Sequence, residues 1–367
     1  VVAAKPDVTV ERVDVFTFVV PTDEPESDGT LEWDSTTMVA VEIHGGGQRG
    51  LGYTYAAPAA ATLIGEKLAG LLEGEDAIAV RARWQDMVRE VRNLGRPGIA
   101  ATAISALDIA LWDLNARLLG VAVSTLLGRA HDRVPIYGSG GFTSYSVDRL
   151  TEQLAGWADA GIPRVKMKVG RQPDRDLERV LAVRKAVGSG VDVMVDANGA
   201  YSRRQALALA EEYAELGVVW FEEPVSSDDL DGLRLLRDRA PGGIRIAAGE
   251  YGYDPWYFAR LLAAGAVDVV QADVTRCLGI TGFLEIAGLC HAAQLPLSGH
   301  TAPQATAHVA AAVVPLEHVE YFHDHVRLEG RLFDGVLEPD DGALVPDRDR
   351  PGMGLEIRWG DADRYRR

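Results

Sequence analysis

From Val134 onward the chain repeats one pattern, a short β-rich run followed by a helical run. The β-rich runs are Val134–Gly138, Arg164–Val169, Asp192–Asp196, Val218–Glu222, Ile244–Ala248, Val267–Gln271, Leu295–Gly299 and His318–Tyr321. Helical periodicity fills the gaps near Val147–Ala160, Asp174–Val187, Ser202–Leu216, Asp228–Arg239, Asp254–Ala264, Gly282–Ala293 and Gln304–Val314. Such alternation over roughly 200 residues predicts a (β/α) barrel. A doubly wound open sheet would alternate in a similar way. The barrel is preferred because polar residues recur just past one strand after another, as strand ends converging on one cleft require. No eighth helix is evident. Leu328–Pro346 reads as loop, and Gly354–Trp359 as a strand returning toward the N-terminal part.

The residues before this repeat read as α+β. Val8–Val20 alternates polar and apolar residues, as a half-buried strand does. Pro21–Thr30 is acidic and carries Pro and Gly, so it reads as a mobile loop. Thr36–Ile43 is a second strand, and Gly45-Gly46-Gly47 a hairpin turn; no P-loop Lys-Ser/Thr follows to make it a phosphate site. Ala59–Leu72, Ala77–Leu94 and Ala100–Leu119 have helical spacing.

The formal charge of −17 argues against nucleic acid and anionic membranes as partners. An anionic substrate would need a local cationic site or a metal. Cys277 and Cys290 are too few for a disulfide scaffold and fit a reducing cytoplasm. No uninterrupted apolar stretch approaches a membrane span, and Val1–Lys5 lacks the order of a signal peptide. A cytoplasmic protein is expected.

Lys166 and Lys168 lie on the second strand and face the same way, with Met167 opposite. Two lysines in one cleft should depress each other's pKa, which suits a general base; two solvated surface lysines would read the same. Asp196, Glu222 and Glu250 end the third, fourth and fifth strands, each about one βα unit apart. Three converging carboxylates repel one another unless a cation lies between them, and hard oxygen ligands suit Mg²⁺, with Mn²⁺ as the alternative. Glu223 follows Glu222, and parity does not decide which of the two binds metal. Asp273 follows the sixth strand and His300 the seventh; a buried Asp orients a His ring and stabilises its cation. Glu320 on the eighth strand is a candidate protonated acid. His323 and His325, just past Glu320, read either as pocket residues or as loop histidines, with the loop reading preferred.

This set resembles the enolase superfamily, in its mandelate racemase-like branch. The residues that carry the resemblance are Lys166-Met167-Lys168, Asp196-Ala197-Asn198, Glu222-Glu223-Pro224, Gly249-Glu250, Asp273, Gly279-Ile280-Thr281-Gly282, His300 and Glu320. Ala106–Asp113 with Leu126-Leu127-Gly128 resembles the junction that leads into the family's barrel. The resemblance implies a modified TIM barrel, (β/α)7β, at 131–335, with an α+β capping domain built from 1–130 and the tail 336–367. It implies capping loops around Pro21–Trp33 and Gly52–Ala61 that select substrate, with Trp33, Tyr53 and Tyr55 as candidates there and Asn198 beside the substrate. Arg276, on the sixth-strand segment, reads equally as a contact for an anionic substrate or as an ordinary surface arginine. Family members usually have two glycines before the Thr of the sixth-strand motif; here Leu278 occupies the first place, where the backbone would differ or Leu278 would shape the pocket.

The implied reaction removes the proton α to a carboxylate, with Mg²⁺ stabilising the enediolate. Lys166 would add positive charge at the carboxylate. Lys168 would act on one face, and His300 paired with Asp273 on the other. Dehydration of an acid sugar is the expected outcome and racemisation of an α-hydroxy acid the alternative; a cycloisomerase or dipeptide epimerase is less expected, because the resemblance implies a sixth-strand lysine for those where this chain has Asp273, and a non-catalytic metal-binding barrel comes last. The expected partner is a small carboxylate, and a homo-oligomer (dimer, tetramer or octamer) is expected.

Overall fold

The computed structural model describes residues 8–367, so Val1–Lys5 lies outside the described residues. The N-terminal part opens with an antiparallel meander of β1 (Arg12–Ser27), β2 (Glu32–Gly45) and β3 (Gln48–Tyr55). The β2–β3 turn closes at Gly46-Gly47, both in the left-handed region. Pro21–Thr30 is mostly strand, not loop: β1 continues past a register shift and pairs Glu26 with Trp33 and Ser27 with Glu32. The polar composition that suggested a loop is consumed by partners. Trp33 Nε1 donates to Glu26 Oε2 at 2.9 Å, and the Ser27 and Thr143 hydroxyls meet at 2.6 Å.

Helices at Ala59–Leu63, Val80–Glu90 and Ile99–Leu119 complete the cap. By length and composition Ile99–Leu119 could span a bilayer, but 89% of its apolar stretch is buried inside the protein, and it is the cap's core helix. It also joins the cap to the barrel. Asp108 accepts the Thr281 N–H at 2.8 Å and the Thr281 hydroxyl at 2.7 Å, and Ser105 Oγ accepts the Gly279 N–H at 2.9 Å. These bonds satisfy orphan donors at the start of helix Gly279–Ala292, whose own N-cap, Leu278, has no side-chain acceptor.

The barrel strands are β4 (Val134–Gly140), β5 (Arg164–Lys168), β6 (Asp192–Asp196), β7 (Val218–Glu222), β8 (Arg245–Ala248), β9 (Val269–Ala272), β10 (Leu297–Gly299) and β11 (Leu316–Phe322). Each pairs in parallel with the next, and β11 pairs with β4 from Val319–Ile136 to Phe322–Ser139. That closure rules out the open sheet. Tyr137, Met194, Trp220, Ala247 and Val269, from five different strands, form one buried cluster that fills the barrel interior. Seven helices lie between the strands.

A helix, His323–Leu332, follows β11 where a loop was expected. Its charged first turn hides the periodicity, but Leu328 and Leu332 are fully buried. It leads to no further parallel strand of the barrel; only the short Ala343–Leu344 adds, antiparallel, to β4, so the (β/α)7β description stands. Glu356–Ile357 pairs with Phe333–Asp334 instead of the N-terminal sheet. The tail still reaches that sheet: Trp359 packs edge-on against Phe16 at 4.8 Å, and the Arg367 N–H donates to Thr17 O at 3.0 Å.

Candidate active site

The strand ends bring Lys166, Lys168, Asp196, Glu222, Glu250, Asp273, His300 and Glu320 together, all buried. Lys166 and Lys168 share a face of β5, while Met167 packs into the core outside. Lys166 Nζ lies 2.7 Å from both Glu222 oxygens and 2.9 Å from Glu320 Oε1. Lys168 Nζ donates to Asp196 Oδ2. The expected mutual depression of the two lysines is outweighed by the acids around them. Burial works against their charge, but Glu222 and Glu320 around Lys166, and Asp196 at Lys168, outweigh burial and the like charge, so both pKa values rise.

Asp196, Glu222 and Glu250 each present an oxygen within 4.8 Å of the others. Trp220 Nε1 and Gln271 Nε2 fix Glu222 by donating to Oε2 at 2.9 and 3.1 Å. Glu223 takes a left-handed backbone, φ 35°, and turns to a neighbouring cavity, its buried Oε1 without a partner. The geometry therefore selects Glu222. Gly249 places Glu250: its φ is 134°, and a Cβ there would lie 2.1 Å from Gln271 O. Glu250 Oε2 is 3.0 Å from His300 Nε2 but outside hydrogen-bonding geometry. Burial and then Asp196 push the Glu222 carboxyl up to about 8. Three buried hard-oxygen donors, one lacking a hydrogen bond, fit a divalent cation of the Mg²⁺ type.

Across the ring, His300 Nδ1 is 2.7 Å from Asp273 Oδ2. Asp273 Oδ1 accepts the Thr275 N–H and hydroxyl, both at 2.7 Å. Burial alone would lower the imidazole pKa; Glu250, Glu320 and the bond to Asp273 reverse this and raise it to about 10. Glu320 differs from the protonated acid expected. Burial raises its pKa, but Lys166, His300 and Lys168 outweigh that and hold it at about 2. It is an acceptor, for Ser139 Oγ at 2.5 Å and the Thr301 N–H at 3.2 Å.

Lys168, Glu250, His300 and Glu320 line a cavity of about 360 Å³. Asn198 and Arg276 stand on its walls, and the cap covers it with Trp33 and Tyr55. Lys166, Asp196, Glu222 and Asp273 lie beneath this surface. Tyr53, expected beside substrate, does not line it. Its ring is fully buried, with the hydroxyl donating to Glu329 at 2.6 Å and accepting the Ala305 N–H at 3.2 Å. Leu278 is also outside the cavity, packed in the cap's core at φ 70° with its carbonyl accepting Trp84 Nε1 at 2.9 Å. His325 is a wall residue, not a loop histidine: its ring stacks on Tyr55 at 3.3 Å. The charged run His323-Asp324-His325 concealed it; the helix start after Phe322 turns it inward. Asn198, Glu223, Leu278, Thr301 and Ala302, all non-glycine, take left-handed backbones here, so strain gathers at the strand-end rim.

Residues 12–128 match the family model for the mandelate racemase/muconate lactonizing enzyme N-terminal domain, and 149–362 match the enolase C-terminal domain-like model. A mandelate racemase/muconate lactonizing enzyme-like protein from Rubrobacter xylanophilus is 57% identical, with TM-score 0.96 over 98% of this chain and all of that one. Arabinonate dehydratase of Saccharolobus solfataricus is 33% identical over 81% of this chain and 80% of its own. The L-talarate/galactarate dehydratase of Salmonella typhimurium LT2, solved with Mg and L-lyxarohydroxamate, is 29% identical with TM-score 0.91, over all of this chain and 95% of that one. Family models across both parts of the chain, together with the lysine pair, carboxylate trio and Asp–His pair, show that it belongs to the mandelate racemase/muconate lactonizing enzyme family of the enolase superfamily.

Proposed function

We propose that the chain is a Mg²⁺-dependent dehydratase of acid sugars. One observation carries this reading: Lys168 and His300 open into one cavity from separated parts of the ring, with His300 fixed by Asp273 as a proton donor. Asp196, Glu222 and Glu250 would hold the ion, which supplies positive charge against the substrate carboxylate. Asp196, which accepts from Lys168 Nζ, would hold the ion and would then no longer keep Lys168 protonated. Its neutral amine then takes the proton from the carbon α to the carboxylate. The electron pair moves toward the carboxylate and then expels the β-hydroxyl. His300 gives that hydroxyl its Nε2 proton, and water leaves. The enol takes a proton at the β-carbon and becomes a 2-keto-3-deoxy acid, so the net change is loss of one water. Lys166 and Glu320 set the charge beneath, with Lys166 Nζ bonded to both Glu222 and Glu320.

Proton NMR in D₂O tests this with Mg²⁺ and pooled acid sugars. The expected result is loss of the α-proton signal with a 2-keto-3-deoxy product, abolished by EDTA and by Lys168→Ala, each by about 10³-fold or more. His300→Asn should still exchange the α-proton while losing dehydration. Exchange in the wild type with the carbon skeleton intact would instead establish the racemase. A homo-oligomer is also proposed, from the resemblance alone; sedimentation equilibrium giving a single-chain mass would overturn it.

A further inference from the structure

The cavity has two chemically different halves. Its floor, from the barrel, holds Lys168, Arg276 and His300. The wall from the cap runs from Asp28 to Ala57 and contains no Lys or Arg. It offers hydroxyls from Ser35, Thr36 and Thr37, and the rings of Trp33 and Tyr55. We infer that the end of the substrate remote from the reacting carboxylate is uncharged and hydroxyl-bearing, so that the substrate class is the monocarboxylic aldonates and not the dicarboxylic aldarates. This rests on the dehydratase reading and narrows it.

Among the described residues, each cation near enough to matter is committed elsewhere. Arg276 is tied to the floor, with Nη1 3.2 Å from Glu250 O, Nε 3.4 Å from Asp273 Oδ2 and the guanidinium over the Tyr251 ring. His325 is a wall residue, but its Nδ1 accepts the Ala302 N–H at 3.2 Å, so the ring is the neutral tautomer. Burial agrees, pushing its pKa down to about 3. Arg327, outside the wall, binds Asp324 and donates to Pro21 O at 2.6 Å. Arg171 pairs with Glu32 at 2.6 Å on the outer face. The wall's one acid and its neighbour from helix His323–Leu332 are both spent internally: Asp28 Oδ1 accepts the Thr30 and Leu31 N–H groups at 2.6 and 2.7 Å, and Asp324 accepts the Thr36 hydroxyl. A second carboxylate placed there would meet two other carboxylates and, among the described residues, no free cation. Burying an unpaired charge is strongly unfavourable, whereas a terminal hydroxyl finds donors and acceptors. The two dehydratases compared above fall on opposite sides of this divide, arabinonate being a monoacid and talarate and galactarate diacids.

The test is calorimetric binding to the Mg²⁺-loaded Lys168→Ala variant, which needs no turnover. The ligands are the five- and six-carbon aldonate stereoisomers, each paired with the aldarate that differs only in the terminal group. At least one aldonate should bind about 100-fold more tightly than its aldarate. Equal or tighter binding of the aldarates would overturn the inference, and binding of neither class would overturn it together with the dehydratase reading. Selective aldonate binding without dehydration by the wild type would overturn the dehydratase reading alone. Ala57→Arg, an exposed position on the cap wall, should shift the ratio at least 10-fold toward aldarates. An unchanged ratio in a variant with wild-type circular dichroism would also overturn the inference.

Discussion

Leu278 holds a conformation that costs a branched side chain about 1–2 kcal/mol, and keeps it because the side chain is fully buried against the cap. Gly at this position would relieve the backbone and empty the side-chain site. Loss of a buried leucine costs about 3–5 kcal/mol, so Leu278→Gly should destabilise the protein by about 2–3 kcal/mol net. Urea unfolding checks this, and a more stable variant would refute it. KM should hardly move, since Leu278 does not line the cavity. At this scale the lysine pair, the three acids and Asp273–His300 were legible, because a strand end fixes position and alternation fixes side. Charge states were not. Glu320 is ionised because Lys166 and His300 converge on it from other strands, which spacing along the chain does not reveal. Tyr53 and Tyr55, two apart on β3, do share a partner in Glu329, at 2.6 and 3.3 Å. Only Tyr55, at the strand's end, reaches the cavity.

The element that most shapes substrate access is the arch from the end of β1 to the start of β2, where Asp28, Leu31 and Trp33 reach the cavity. It rests on the barrel rim at Gly29, where a Cβ would lie 2.3 Å from Ala197 O and 2.8 Å from Val169 O. Both contacts are backbone and cannot swing aside, so Gly29→Ala should lift the arch. Overpacking of this kind costs about 1–3 kcal/mol. If substrate binding draws on the arch, KM should rise about 10-fold with kcat changed less. Steady-state kinetics decide, and an unchanged KM would show that the arch is not part of the binding wall. Most of Pro21–Thr30, the stretch that enters the arch, is strand although it reads as a loop, because an acidic stretch with Pro and Gly carries the composition of loops. What orders it is contact with residues far along the chain, such as Ser27 with Thr143, to which local composition is blind. The barrel strands were legible for the opposite reason: their repeat is itself local and recurs at nearly constant intervals.

Across the whole molecule, burial favours the neutral form of several histidines away from the carboxylate trio, His308 and His325 among them. His308, in helix Pro303–Ala310, is about 1% exposed, and burial lowers its pKa from 6.5 to about 4. A depressed folded-state pKa means that the unfolded chain binds the proton first. The stability this group contributes is therefore complete above pH 6.5 and is lost progressively as pH falls toward 4. The shift corresponds to about 3 kcal/mol at the acid end. Buried acids oppose this trend. Glu329, pushed up to about 8 by burial, is protonated first in the folded state, so its effect on stability grows more favourable as pH falls through the same window. The net acid slope of the wild type thus mixes both signs, and only a difference isolates the histidine. His308→Gln replaces it with a group that does not titrate, and the cost of burying the amide is the same at every pH. The gap in unfolding free energy between wild type and variant, measured in urea at pH 7.5 and at pH 4, should change by about 3 kcal/mol in favour of the variant at the lower pH. A gap independent of pH would mean that His308 is already charged in the fold, and that the barrel supplies it with a counter-charge or with water.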